Sequence, residues 1–234
     1  SVSSIFRMEQ YFFKYDWAAN QLNNVSLFFV QDKNSKELLQ NIGFTNCTVA
    51  GDTRFDSVIA NTQKTASIPL IEEFSKNKTT IICGSTWPKD EALLAKYIKE
   101  NPNYNYIIAP HEMLQISVLQ KQTNALLFSK ADNTNINNSN VLIIDSIGIL
   151  SNVYKYGDLA YIGGGFGSGI HNILEAATFG LPLVFGPNYQ KFKEANELIE
   201  LGGAKSISNY SELEITILSF TNFNKAIAKN YIKS

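Results

Sequence analysis

Apolar residues alternate along this chain in short runs, and most runs are separated by stretches with helical spacing. Strands are expected at 27–31 and 47–50, then at 79–83, 105–109, 125–128, 141–144, 159–162, 182–185 and 204–207. Helical patterns fall at 8–23, 35–42, 88–100, 111–121, 149–156, 172–179 and 191–201, and a long one at 210–232. Asp32 or Asn34 is placed to cap the helix that ends at Gly43. Short β-branched runs alternating with helices predict a parallel sheet covered on both faces, the α/β doubly wound class. The aromatic stripe Tyr11, Phe12, Phe13, Tyr15 and Trp17 reads as an interface.

The pattern is uneven. Residues 1–52 supply too few elements for an α/β core of their own, whereas 53–234 hold a nearly complete one. The expected division is therefore a remnant of one domain at 1–52 and a ligand-binding domain at 53–234. The helix 210–232 is a candidate to pack back on the first piece. Residues 133–140 form an Asn-rich loop by composition.

Composition narrows the chemistry. Hydrophobic residues make up 44% and charged residues 18%, as in an ordinary folded protein. The net charge of −1 gives no nucleic-acid footprint. Arg7 and Arg54 are the only arginines, so lysines, backbone amides and helix dipoles must carry any phosphate recognition further along. Cys47 and Cys83 sit in apolar runs and read as buried thiols. No cysteine or histidine lies at metal-ligand spacing, and no apolar run reaches membrane-spanning length.

Candidate chemistry collects after the strands, where open α/β sheets bind ligands. Gly84-Ser-Thr-Trp-Pro-Lys-Asp90 follows the first strand of the larger piece, and Pro110-His-Glu112 the second. Asp145-Ser-Ile-Gly148 and the loop 163–175 follow later ones. That loop packs five glycines into residues 163–169 and leads into His171, Asn172 and Glu175. Glycine loses the most backbone freedom on folding, and such a cluster is the usual means of bringing backbone close to a ligand. A carboxylate at Glu175 suits a ribose diol, since it can accept two hydroxyl hydrogen bonds. A dinucleotide fingerprint fits poorly, because the next strand ends Val184-Phe-Gly-Pro187 without the expected acid. Ser85 and Thr86 could equally cap the next helix, and Asp145 could satisfy loop amides.

These segments, in this order, resemble the 3-deoxy-D-manno-octulosonic acid (Kdo) transferases. The likeness runs through Val49–Asp56, Gly84–Thr86, Ala109–Glu112, Asp145–Gly148 and Gly163–Glu175, and extends to Gly180–Pro187 and Phe192. Its most specific string is Gly169-Ile-His-Asn-Ile-Leu-Glu175. The resemblance implies a GT-B glycosyltransferase, with two Rossmann-like domains across a cleft. This chain would supply the nucleotide-sugar domain and the end of the acceptor domain. It implies transfer of Kdo from CMP-Kdo to a lipid A precursor, with inversion and without a metal or other cofactor. The setting it implies is the cytoplasmic face of the bacterial inner membrane, with peripheral association of the full-length protein and a soluble fragment.

Carried over, Ser85, Thr86 and His111 lie near the donor phosphate or sugar, with Lys89 as a substitute positive charge. Ser146, Ile147 and Gly148 approach the nucleotide through backbone. Gly164, Gly169, His171 and Asn172 shape the phosphate site, and Glu175 holds the ribose. Two positions depart from the family pattern, because Trp87 and Pro110 stand where arginines are common. The family's general base belongs to a glycine-rich segment that this chain does not contain, so the fragment is expected to bind donor without turning it over. Alternatives are a UDP-sugar transferase, a UDP-sugar 2-epimerase, or a non-catalytic nucleotide-binding module.

Overall fold

The computed structural model describes residues 2–4, 15, 20–51, 55–56, 58–60, 66–220 and 226–233. The chain divides into two compact units, Ser1–Ser57 and Val58–Ser234. In the first, strands β1 (Val2–Ser4), β2 (Phe28–Val30) and β3 (Cys47–Val49) form a parallel sheet in the order β1-β2-β3. Helix α1 (Lys33–Asn41) begins at Asp32, whose Oδ1 accepts from the Ser35 amide at 2.6 Å. Phe28, Val30, Leu39 and Cys47 make a small core, and the Phe28 ring meets Phe44 edge-on. Apart from Tyr15, the aromatic stripe at 11–17 lies outside the described residues.

The second unit carries a seven-stranded, all-parallel sheet in the order β10-β9-β8-β4-β5-β7-β6. Its strands are β4 (Thr80–Thr86), β5 (Asn105–Pro110), β6 (Leu126–Leu127), β7 (Val141–Ile143), β8 (Leu159–Ile162), β9 (Leu183–Phe185) and β10 (Ala204–Ser206). After β4 the chain moves to one side through β5, and at β8 it returns to β4's other flank. That reversal creates the crevice in which doubly wound sheets bind ligands. The expected fold class is therefore observed. Buried strand residues face both ways: Ile81, Cys83, Tyr106 and Ile108 on one face, Ile82, Ile107, Leu142 and Leu183 on the other. Continuous burial of that kind is why the strand runs read as apolar rather than alternating.

Several elements differ from expectation, among them an unexpected helix Pro69–Ser75 and a helix expected at 149–156 that is α-helical over Leu150–Val153 and ends in the tight turn Tyr154–Tyr156. Strand β4 continues past residue 83 to Thr86, with a bulge between Gly84 and Thr86. The helix expected at 111–121 begins as a tight turn, Met113–Gln115, before α-helix Ile116–Thr123. The long terminal pattern is divided into helices Tyr210–Ser219 and Ala226–Lys233. The second of these packs on helix Leu174–Thr178, within its own unit. Both cysteines are buried and free, as their apolar surroundings predict.

Candidate functional site: a glycine-crowded crevice at the β4 and β8 ends

Backbone geometry brings the strand ends together. The Gly163 amide donates to the Gly84 carbonyl at 2.9 Å, and the His111 amide to the Thr86 carbonyl at 2.9 Å. Between those two anchors Ser85 bulges out with a positive φ of 52°, a region L-residues rarely occupy. The glycines are there because nothing larger fits. A Cβ on Gly163 would stand 2.2 Å from the Ser85 carbonyl oxygen, and one on Gly165 would stand 2.6 Å from the Gly186 backbone. Gly164 combines φ +91° with a virtual Cβ 2.4 Å from the Gly169 carbonyl oxygen. On the far side, Tyr154 is buried and its hydroxyl occupies the space beside Gly84.

Asp90 ties the crevice together. It stands in the first turn of helix Pro88–Glu100 and is fully buried. Oδ2 accepts from the Trp87 amide and from the Gly164 amide, each at 2.9 Å, and Oδ1 accepts from the Tyr161 hydroxyl at 2.7 Å. One carboxylate thus closes the helix start and fixes the glycine loop to it. Asp90 was not among the expected site residues. Its sequence signal is an acid two residues after the Pro88 that opens the helix, which alone reads as an ordinary helix start.

The three rings nearest the crevice mouth form a cluster. Trp87 Nε1 donates to His171 Nε2 at 2.8 Å, and the two ring planes differ by only 12°. His111 lies across both, with centroids 4.5 Å from Trp87 and 4.4 Å from His171. These are the chain's two histidines. Burial, and then the neighbouring His111, hold the His171 imidazole below its ordinary pKa. Trp87, a departure from the family pattern, is thus built into the site.

The remaining expected residues fall into distinct settings. Asn172 Oδ1 accepts from the Leu174 amide and its Nδ2 donates to Glu175 Oε1, both at 3.1 Å. Burial raises the Glu175 pKa, and the Asn172 bond opposes it. Thr86 is buried and its hydroxyl donates inward to Glu91 Oε1 at 3.1 Å. Neither Ser85 nor Thr86 caps the helix that follows, whose N-cap position is held by Trp87. Asp145 accepts from the Ser129 amide at 2.9 Å, so it does satisfy a loop amide. Ser146, Ile147 and Gly148 are exposed. Lys89 is exposed in the first helical turn. Lys191 reaches the glycine loop: its Nζ donates to the Ser168 carbonyl at 2.8 Å while its stem lies over Gly169. Among the described residues no three His, Cys, Asp or Glu side chains gather at metal-binding distance, and no helix is long and apolar enough to cross a membrane.

No protein-family model matches the chain. A curated 3-deoxy-D-manno-octulosonic acid transferase from Rickettsia typhi is 26% identical over 217 residues, covering 88% of this chain and 46% of the relative. The chain is similar in sequence to curated Kdo transferases. It spans about half the length of the curated relative. In the solved structure of the C-terminal CMP-Kdo binding domain of WaaA from Acinetobacter baumannii, the whole domain superposes on 76% of this chain with a TM-score of 0.60 at 19% identity. The UDP-GlcNAc 2-epimerase of Neisseria meningitidis, solved with UDP-GlcNAc, gives a TM-score of 0.56 at 16% identity over 89% of this chain and 59% of its own. At those identities the two structures speak for a shared fold.

Proposed function

We propose that this chain is the donor-binding part of a Kdo transferase and that its crevice takes CMP-Kdo. The observation that carries this is the meeting, at the β4–β8 switch point, of Ser85, His111, the glycine loop and His171. The family relationship supplies the sugar nucleotide. When the bond to CMP breaks, negative charge builds on the phosphate, and donors fixed where it develops lower the barrier. Here they are the loop backbone, the His171 ring and the Lys191 ammonium. Glu175, half-buried, is the group for the ribose hydroxyls. Ser146, Ile147 and Gly148 offer backbone to the base, and Lys89 a second charge at the rim.

In the whole protein the acceptor is a lipid A precursor and transfer inverts the sugar without a metal, at the cytoplasmic face of the inner membrane. The base that deprotonates the acceptor hydroxyl comes from the acceptor-binding domain of such a protein. On this reading the 234 residues bind donor and do not turn it over. Residues 1–52 belong to the end of the acceptor domain, and 53–234 are the donor domain.

Calorimetric titration with CMP and with UDP tests the reading. CMP binding with little response to UDP is expected. Tight UDP binding without a CMP response would sink it and favour a UDP-sugar enzyme, for which the fold shared with the UDP-GlcNAc epimerase is the specific pointer. Absence of any nucleotide binding would leave a non-catalytic module.

A further inference from the structure

Trp87 does more than fill the place of a missing charge. An indole N–H only donates, so the 2.8 Å bond from Trp87 Nε1 requires a lone pair on His171 Nε2. A neutral imidazole carries its proton on one nitrogen, and the bond made by the other decides which. The His171 proton is therefore on Nδ1. The Cδ2–Nε2 edge of the ring is also the edge against Gly164, since a Cβ there would stand 3.0 Å from Cδ2 and 3.4 Å from Nε2. Nδ1 lies on the opposite edge and has no hydrogen-bond partner among the described residues. His111, stacked across the Trp87–His171 pair, blocks rotation of the imidazole out of that plane.

We infer that Trp87 is a positioning residue that holds His171 as a neutral Nδ1–H donor aimed at a phosphate oxygen of the bound ligand. The inference rests on the donor-binding reading for its ligand and on geometry alone for the tautomer. It replaces a charged contact with a neutral, pre-oriented one. A neutral donor fixed in direction suits a phosphodiester with one charge, the form that a sugar–CMP linkage carries.

The test uses the whole chain with 15N-labelled histidine. Two histidines give two imidazole patterns in a long-range proton–nitrogen spectrum, and His171→Asn identifies which is which. At pH 7.5 the expected His171 pattern has Nδ1 protonated and Nε2 bare. Trp87→Phe keeps an aromatic ring but removes the donor, so the pattern should move toward the Nε2–H form. Affinity for CMP should then fall roughly three- to tenfold, the value of one directed hydrogen bond. An Nε2–H pattern in the unaltered chain overturns the proposal, and so does a Trp87→Phe chain with unchanged pattern and affinity. The tautomer is read without ligand, which separates this outcome from failure of the CMP assignment. If CMP does not bind, inorganic phosphate is titrated in its place. The same loss in Trp87→Phe supports the inference, and binding of neither anion overturns its ligand half. An unchanged urea midpoint for Trp87→Phe excludes a folding defect as the cause.

Discussion

The loop after β8 and the loop after β7 both hold glycine at positive φ, yet they are made in opposite ways. Gly163, Gly165 and Gly186 have backbone of other segments within 3 Å of where a side chain would start. Gly148, with φ +90°, has nothing within 4 Å. Ile147 beside it is 90% exposed. One loop is fixed by contact and by Asp90; the other is tied at its start, where Asp145 accepts from Ser129, and is open beyond it. As walls of a site, a crowded, tied loop can hold charge in a set geometry, whereas an exposed one can adjust to what arrives. In the donor-binding reading these walls serve the phosphate and the nucleotide.

The largest effect is expected where the rigid wall is tied. Asp90→Ala leaves the buried Gly164 amide, the part-buried Trp87 amide and the buried Tyr161 hydroxyl without their acceptor. Unsatisfied buried groups cost about 1–3 kcal/mol each, so a loss on the order of 3 kcal/mol or more is expected in urea unfolding. Asp90→Asn retains one acceptor oxygen and should lose less. If Asp90→Ala unfolds at the same midpoint as the unaltered chain, the rigid wall does not depend on this carboxylate.

Next come the glycines, which test the comparison directly. Gly163→Ala forces a methyl against the Ser85 carbonyl. The cost should reach the upper part of the roughly 1–3 kcal/mol range for overpacking, and CMP binding should weaken as the bulge moves. Gly148→Ala meets no atom and bears only the left-handed penalty of roughly 1 kcal/mol. Equal costs for the two would erase the distinction between the walls.

The sheet and the strand-end positions were legible because burial on both faces writes itself as apolar runs, and because a parallel sheet puts its chemistry after its strands. The glycine loop was legible for a similar reason: crowding admits no other residue. The ties were not. Asp90 bonds to Gly164 and Tyr161 across more than seventy residues, and no local pattern marks such a partner. Thr86 read as a donor to ligand or as a helix cap, but strand β4 runs on to include it and turns its hydroxyl toward Glu91. Trp87 read as a loss relative to the family, and only the meeting of three strand ends shows what it bonds to. Lys191 stands on the glycine loop from more than twenty residues away, and no local pattern marked it.

The rigid wall also predicts a pH dependence. His171 has a folded-state pKa held below its ordinary value near 6.5. Its folded form therefore binds protons less readily than the unfolded chain does. Its contribution to stability is present above about pH 6.5 and is lost as pH falls through the lowered folded value. Glu175 works the other way: its raised pKa favours the folded state at low pH, and that advantage is lost as pH rises through the raised value. The urea midpoint at pH 7.5 minus that at pH 5.5 should thus be less positive, or more negative, in His171→Asn than in the unaltered chain. A difference of the same size in both would show that the imidazole is not held neutral by its surroundings.

The smallest effect belongs to the open wall. Ile147→Ser removes an apolar side chain already almost wholly in water, and its stability should change by no more than about 0.5 kcal/mol. The informative quantity is nucleotide affinity. If this wall adapts to the base by closing on it, an exposed isoleucine beside Gly148 gains burial only in the complex. Its loss should then weaken CMP while leaving inorganic phosphate unchanged. Gly163→Ala should weaken both, because it disturbs the wall that holds the charge. Weakening of phosphate by Ile147→Ser would place the β7 loop on the anion and remove the division of labour between the two strand ends.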